Sequence, residues 1–144
     1  LPVTRLEMTR FWINLQGGVD FVLKNFERML GGEIFVPKIP SVRIADLAKA
    51  MAPDMPIKVI GIRAGEKLHE VMCPAELSYN TFEYDDHFVI APAINFSSRS
   101  NDFTVNNLGE TGKLVEEGFE YESNSNPDFL NIEQILAFNK LAMQ

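Results

Sequence analysis

The chain has 144 residues, 46% of them hydrophobic, and a formal net charge of -7 from 20 acidic and 13 basic side chains. This length and apolar content predict one folded domain over residues 1–144, and the acidic balance without any Lys or Arg run argues against nucleic acid or an anionic membrane as partner. Because no apolar segment reaches the roughly 18 residues of a membrane-spanning helix, we expect a soluble cytoplasmic protein.

Predicted strands and helices alternate over the first half of the chain. Arg10–Ile13 is aromatic and β-branched enough for a strand, and Asn14 can cap the helix that follows. The apolar residues of that helix recur every three or four positions until Gly31-Gly32 end the pattern. Strands are also predicted over 33–36 and 57–60, with a second helix between them that carries Ile44, Leu47, Ala48 and Met51. The alternation predicts an α/β architecture.

The second half of the chain is less regular. Its predicted features are a helical turn over 76–79, a hairpin of strands 82–84 and 88–90, loops within 95–109, turns at 116–118 and 124–127, and a last helix capped by Asn131.

Residues 61–70 are the first candidate for a functional site. Gly61 and Gly65 allow a sharp turn after an apolar strand, and Arg63, Glu66, Lys67, His69 and Glu70 follow closely. A forked guanidinium suits phosphate oxygens, so Arg10 and Arg63 together could clamp a diphosphate. The alternative is a solvated turn and two unrelated surface arginines, because sequence alone does not show that the two residues converge.

Other candidate groups have stronger structural interpretations. Cys73, the single cysteine, lies in an apolar step and is predicted to pack in the core rather than act as a nucleophile. His69 could be a general acid or base, but a polar surface histidine is favoured. Glu83, Asp85, Asp86 and His87 have metal-ligand types without ligand spacing, so a solvated acidic edge is favoured over a metal site.

Two absences restrict the chemistry. No Gly-x-Gly-x-x-Gly occurs, so the dinucleotide fingerprint is missing. No tyrosine has a lysine four residues later, the pair in which lysine lowers the tyrosine pKa in short-chain dehydrogenases. We therefore predict no catalytic, cofactor-binding or metal-binding residues in this chain.

Three segments carry a family resemblance: Met8-Thr9-Arg10-Phe11-Trp12-Ile13, residues 32–41 and residues 62–70. The sequence resembles the C-terminal portion of the inverting UDP-N-acetylglucosamine 4,6-dehydratases, which are extended short-chain dehydrogenase/reductases of bacterial surface-sugar pathways such as that of pseudaminic acid. The resemblance implies an α/β substrate-binding part that lacks the N-terminal Rossmann half. Leu1, in place of an initiator methionine, is consistent with a piece of a longer protein.

The resemblance also implies site residues and a cofactor. Arg10 and Arg63 match the arginines that approach the UDP diphosphate, Glu66 matches a nucleotide-sugar contact, and Thr4 lines the same pocket. Ala64 replaces the usual proline, and Arg5 stands where an acidic residue is expected. In the family enzyme, NADP takes hydride from the sugar's 4-position and returns it to the 6-position after water leaves, with inversion at the 5-position. These groups belong to the upstream half, so we expect this chain to bind no NADP and to be inactive alone.

Two rival interpretations stay open. One is a non-catalytic module that binds UDP or a UDP-sugar, or serves as an assembly surface. The other is a fragment of a related UDP-sugar epimerase or dehydratase. Because the second half of the family fold packs on the first, the resemblance also implies exposed apolar surface and self-association or marginal stability, with Phe11, Trp12, Phe21 and Phe35 as candidates for that surface.

Overall fold

The computed structural model describes residues 1–94 and 101–142. The part of the predicted loop region that falls on residues 95–100 lies outside the described residues. The chain divides into two compact units. The first unit consists of Leu1–Gln16, Ile39–Val71 and Glu122–Gln144, and the second of Gly17–Lys38 and Met72–Tyr121.

The elements are short, and each strand in the described residues has two to four residues. The strands are β1 Pro2–Val3, β2 Thr9–Phe11, β3 Ile34–Pro37, β4 Ser41–Arg43, β5 Lys58–Val59, β6 Val71–Cys73, β7 Thr81–Glu83, β8 His87–Ile90, β9 Lys113–Leu114 and β10 Tyr121–Glu122. The helices are α1 Leu15–Arg28, α2 Ile44–Met51 and α3 Ile132–Ala142, with a 3₁₀ helix over Ala75–Asn80. Within the described part of the chain, no helix has the length and apolar character that crossing a bilayer requires.

The first unit contains two small sheets and two packed helices. Strands β1 and β5 pair in parallel, while β2 and β4 pair antiparallel with Arg10 opposite Val42. Val42, Ala50 and Ile135 are buried together, which joins β4, α2 and α3 in one apolar cluster. Trp12, which directly follows β2, packs against this cluster, and β2 itself is held through its pairing with β4.

The predicted cap of the last helix is confirmed. The Asn131 Oδ1 atom accepts a hydrogen bond from the Gln134 main-chain N–H at 2.9 Å, and Gln134 Oε1 accepts one from the Asn131 N–H at 2.9 Å. Two main-chain donors that the helix cannot satisfy internally are thereby paired at its N-terminus.

The second unit is organised by a four-stranded antiparallel sheet in the order β3-β8-β7-β9. The predicted hairpin is confirmed, with β7 and β8 joined through a turn and Glu83 opposite Phe88. Every residue of β8 is buried, as expected for a central strand. The predicted helical turn is also confirmed as the 3₁₀ helix.

The α/β class is confirmed as a mixed α/β structure, although the predicted strands do not form one sheet. Strands β2, β3 and β5 lie in three separate sheets, and their partners include β1 and β4, which the sequence did not predict. The end of α1 is as expected, because Gly31 and Gly32 follow it with φ values of 117° and 85°. Such positive φ values are accessible to glycine at little cost.

Exposed apolar surface is present, but the residues proposed for it were wrong. Phe11, Trp12, Phe21 and Phe35 are each half-buried. The exposed apolar side chains of α1 recur at helical spacing, and they are Leu15, Val19, Val22, Leu23 and Phe26. The helix is therefore amphipathic, as predicted, with an apolar stripe that the described residues leave uncovered.

A buried arginine organises the charged part of the second unit. Arg28, at the end of α1, is only 1% exposed. Its Nε donates to Glu110 Oε2 at 2.7 Å, and its Nη2 donates to both carboxylate oxygens of Asp86 at 2.8 and 2.9 Å. A buried guanidinium needs such partners because an uncompensated charge is costly away from water.

His87 extends this cluster into the aromatic core. Its Nδ1 lies 2.7 Å from Asp86 Oδ1, and its ring stacks on Tyr84 with centroids 4.6 Å apart. Burial lowers the pKa of His87, so the ring is neutral and donates its Nδ1 proton to the carboxylate. Gly112 packs against the Tyr84 ring of this stack, and a Cβ at position 112 would overlap that ring.

The ion cluster predicts that the second unit loses stability in acid. The hydrogen bond from Arg28 lowers the pKa of Glu110 from 4.5 to about 2. Burial opposes ionisation of Asp86, but hydrogen bonds from His87 and Arg28 outweigh it and hold the pKa of Asp86 well below its ordinary value. Both carboxyls therefore stabilise the fold above their unfolded pKa values and lose that contribution as the pH falls through the folded ones.

The neutral state of His87 also makes the free energy of unfolding fall as the pH is lowered. Its folded pKa lies below 6.5, so the unfolded chain binds this proton first as the pH falls. Urea unfolding measured between about pH 7 and pH 3 should show a continuous fall in the free energy of unfolding. Glu110→Gln should flatten the steepest acid part of the profile. A profile that is flat in the unmodified chain would contradict the role of the cluster.

Candidate functional site

Residues 63–66 form a tight turn within the predicted loop. The Glu66 N–H donates to the Arg63 carbonyl at 3.1 Å, which closes the turn. Gly65 occupies its third position with φ of 80°, as a type II turn requires. Ala64 occupies the second position, where proline would fix φ at a suitable value. The turn therefore forms without the proline, because Gly65 supplies the positive φ that it needs.

Glu66 holds the Arg63 side chain and is itself held by Thr4. Glu66 Oε2 accepts the Arg63 main-chain N–H at 3.0 Å, and Oε1 lies 3.3 Å from both Arg63 Nη2 and Thr4 Oγ1. The main-chain N–H and then the guanidinium of Arg63 hold the pKa of Glu66 below its ordinary value. The Glu66 side chain is 18% exposed and that of Arg63 is 77% exposed. The turn thus presents an exposed cation on an anchored carboxylate.

Arg10 fastens the following part of the loop to β2. Its Nη1 donates to the carbonyls of Thr9 and Leu68 at 2.6 and 3.2 Å, and its Nη2 donates to the Lys67 carbonyl at 2.8 Å. The Nε atom lies 3.4 Å from Glu70 Oε1. The two predicted arginines thus have different places: Arg63 lies in the turn and pairs with Glu66, whereas Arg10 lies on β2 and contacts residues 67–70 of the same loop.

A hydrogen-bond chain holds the end of the loop. Thr9 Oγ1 lies 2.7 Å from His69 Nδ1 and 2.7 Å from Ser123 Oγ. Ser123 Oγ also accepts the Glu70 main-chain N–H at 2.9 Å. Thr9 and Ser123 are both buried, whereas His69 is half-buried. His69 is thus anchored through one ring nitrogen to groups inside the first unit.

The remaining candidates lie elsewhere. Cys73 is fully buried, and burial raises the pKa of its thiol to about 12, so packing rather than nucleophilic chemistry is confirmed for it. The acidic edge is exposed at Glu83, Asp85 and Asp86, but the interpretation was wrong for His87, which is fully buried. No group of His, Cys, Asp or Glu side chains within residues 1–94 and 101–142 is arranged to hold a metal ion.

Sequence reasoning missed Thr9 and Ser123. Thr9 lies in a segment that carries the family resemblance, but its sequence context indicates no role for it, and Ser123 is one polar residue among several in a turn-rich region. Their hydroxyls meet although 114 positions separate them. One signal was available in the sequence. Thr9 is polar, yet it stands beside Met8 and Phe11 on a strand, which suggests that its side chain is buried and needs a hydrogen-bond partner.

The described residues do not fit NADP. A dinucleotide pyrophosphate needs a glycine turn that leads directly into a helix N-terminus. None of the glycines with positive φ in the described ranges stands directly before a helix, since Gly31 and Gly32 precede a strand and the others lie in loops.

Two curated relatives of this chain are enzymes named for reactions of UDP-sugars. It is 54% identical over 136 residues to UDP-N-acetylglucosamine 4,6-dehydratase (inverting) of Campylobacter jejuni, covering 94% of this chain and 41% of that protein. It is 37% identical over 94 residues to UDP-glucose 4-epimerase of Rickettsia canadensis, covering 62% of this chain and 28% of that protein.

A solved structure shares the fold. The X-ray structure of Pen from Bacillus thuringiensis matches with a TM-score of 0.76 at 24% identity, over 99% of this chain and 41% of that one. The chain thus spans about two fifths of the length of the dehydratase and of this structure. The model of one family, described as polysaccharide biosynthesis protein, matches residues 1–92. On this match over more than half of its length, the chain belongs to the polysaccharide biosynthesis protein family.

Proposed function

We propose that this chain binds the UDP-sugar substrate of a UDP-N-acetylglucosamine 4,6-dehydratase of the 5-inverting type, in bacterial surface-sugar biosynthesis. The observation that carries the proposal is the Arg63–Glu66 turn, which presents an exposed guanidinium on a carboxylate anchored by Thr4. Similarity to the Campylobacter dehydratase supports the choice of substrate.

Each site residue has a role in this proposal. Arg63 binds the diphosphate, because its side chain is 77% exposed and its guanidinium can form paired hydrogen bonds with phosphate oxygens. Glu66 accepts a hydrogen bond from a hydroxyl of the nucleotide-sugar while it orients Arg63. Thr4 lines the pocket beside Glu66. Arg10 holds the loop and donates the second hydrogen of Nη2 to the diphosphate.

The catalytic groups lie outside this chain in our proposal. The parent enzyme uses NADP, held by the part of the protein that this chain does not span, and this chain alone binds no NADP. Purified chain incubated with UDP-N-acetylglucosamine and NADP should therefore yield no keto-sugar. Formation of that product would show that the chain contains catalytic groups.

Calorimetric titration with UDP tests the binding role directly. UDP should bind at least about tenfold more tightly than UMP, since the second phosphate adds charge-assisted hydrogen bonds to the arginines. Equal affinities would contradict the diphosphate site, and absence of UDP binding would contradict the proposed function.

The epimerase similarity supports a second candidate, a part of an enzyme that acts on UDP-glucose. Titration with UDP-N-acetylglucosamine and UDP-glucose separates the two, because the proposed substrate should bind more tightly. A non-catalytic UDP-sugar module would bind the same ligands. Deletion of such a module would not abolish an enzyme activity, whereas deletion of a part of the dehydratase would. Self-association stays a prediction, and sedimentation of the purified chain would test it.

A further inference from the structure

The direction of each hydrogen bond in the series Glu70, Ser123, Thr9 and His69 follows from which groups can donate and which can accept. The Glu70 main-chain N–H can only donate, so Ser123 Oγ accepts it. If Ser123 then donates to Thr9, the Thr9 proton goes to His69 Nδ1 and every buried hydroxyl is paired. If instead Thr9 donates to Ser123, the Ser123 proton has no acceptor within the described residues. Since buried polar hydrogens are almost always paired, the first order is preferred.

This order fixes the tautomer of His69. Because Nδ1 accepts from Thr9, the proton of the neutral ring is on Nε2. In the described ranges, the only buried side-chain nitrogen or oxygen without a partner is His87 Nε2. His69 is half-buried and its Nε2 is not in that state, which is consistent with an N–H donor at the surface of the first unit.

We propose that His69 is a ligand-binding residue whose Nε2–H donates to an acceptor oxygen of the bound nucleoside diphosphate, with its tautomer set by the buried Thr9 and Ser123 hydroxyls. The inference rests on the proposed function. Its support is position: His69 is three residues beyond Glu66, and the Arg10 guanidinium holds the intervening Lys67 and Leu68 carbonyls.

Nitrogen-detected NMR of the two histidine rings tests the tautomer. In spectra of the ¹⁵N-labelled chain at about pH 8, above the range where histidine ordinarily titrates, His69 should show the Nε2–H pattern. His87 is an internal control, because its Nδ1 donates to Asp86 and its pattern should be the opposite one. An Nδ1–H pattern for His69 would overturn the inference. Thr9→Ser should preserve the Nε2–H pattern, whereas Thr9→Val should abolish the preference.

Addition of saturating UDP tests the ligand contact. The His69 Nε2 signal should shift while the His87 signals stay, and His69→Phe should weaken UDP binding about tenfold. His69→Gln retains a side-chain N–H and should recover part of that loss. UDP binding with an unmoved Nε2 signal would overturn this inference alone. Failure of the unmodified chain to bind UDP would overturn the proposed function, and this inference with it.

Discussion

Replacing Arg63 with alanine should weaken UDP binding by about tenfold to a hundredfold. A hydrogen bond to a charged group contributes roughly 1.5 to 3 kcal/mol, and about 1.4 kcal/mol corresponds to tenfold in affinity. The fold should be unaffected, because the Arg63 side chain is 77% exposed and its pair with Glu66 is a surface pair. Calorimetric titration with UDP measures the change, and thermal unfolding of the same preparation checks the fold.

Arg43→Ala is the matched control for this experiment. Arg43 also pairs with a carboxylate three residues later, Asp46, at 3.1 Å, and its side chain is also largely exposed. It therefore resembles Arg63 in charge and local pairing but lies at the start of α2 rather than in the turn. UDP affinity should be unchanged by Arg43→Ala. Equal losses in the two variants would mean that net charge, rather than the turn, determines UDP binding.

Replacing Arg28 with methionine should lower the free energy of unfolding by about 3 kcal/mol, as is typical when one partner of a buried ion pair is removed. Methionine fills part of the space but leaves Asp86 and Glu110 without their main donor. The two carboxylates are 53% and 35% exposed, so water can solvate them in part, and the loss should lie at the lower end of the usual range. Urea unfolding followed by circular dichroism measures the change.

Lys24→Met is the control for Arg28. The Lys24 Nζ lies 3.4 Å from Asp86 and 3.6 Å from Glu110, so it pairs with the same carboxylates, but its side chain is 46% exposed. Removal of such a surface partner should cost about 1 kcal/mol or less. If both variants lost equal stability, burial of the guanidinium would not be the source of the effect.

Local pattern explains which parts of the fold the sequence predicted. Helix α1 has a regular apolar spacing and a glycine end, and the β7–β8 hairpin has apolar residues on both sides of Asp85-Asp86. Strand β1 has two residues and β4 has three, which is too short for an alternating pattern. Their pairing is set by tertiary packing, which leaves no local signal.

The candidate site likewise has a part that the sequence predicted and a part that it did not. The turn was recognisable because Gly61, Gly65 and the charged side chains lie within ten positions. The support from Thr4, Thr9 and Ser123 comes from distant parts of the chain, as does the pairing of Arg28 with Glu110, 82 positions away. Such contacts are determined by the fold as a whole. Only the family resemblance suggested Thr4, and its hydrogen bond to Glu66 provides a physical reason for that position.

Gly112 imposes a constraint on the evolution of the second unit. Its backbone does not have positive φ, so an ordinary residue would suit the local conformation, yet a Cβ there would overlap the Tyr84 ring. That ring stacks on His87, which in turn bonds to Asp86. A side chain at position 112 therefore requires the Tyr84 ring to shift or to be replaced, which would disturb its stack on His87. The two positions are thus sterically coupled, although neither belongs to the proposed binding site.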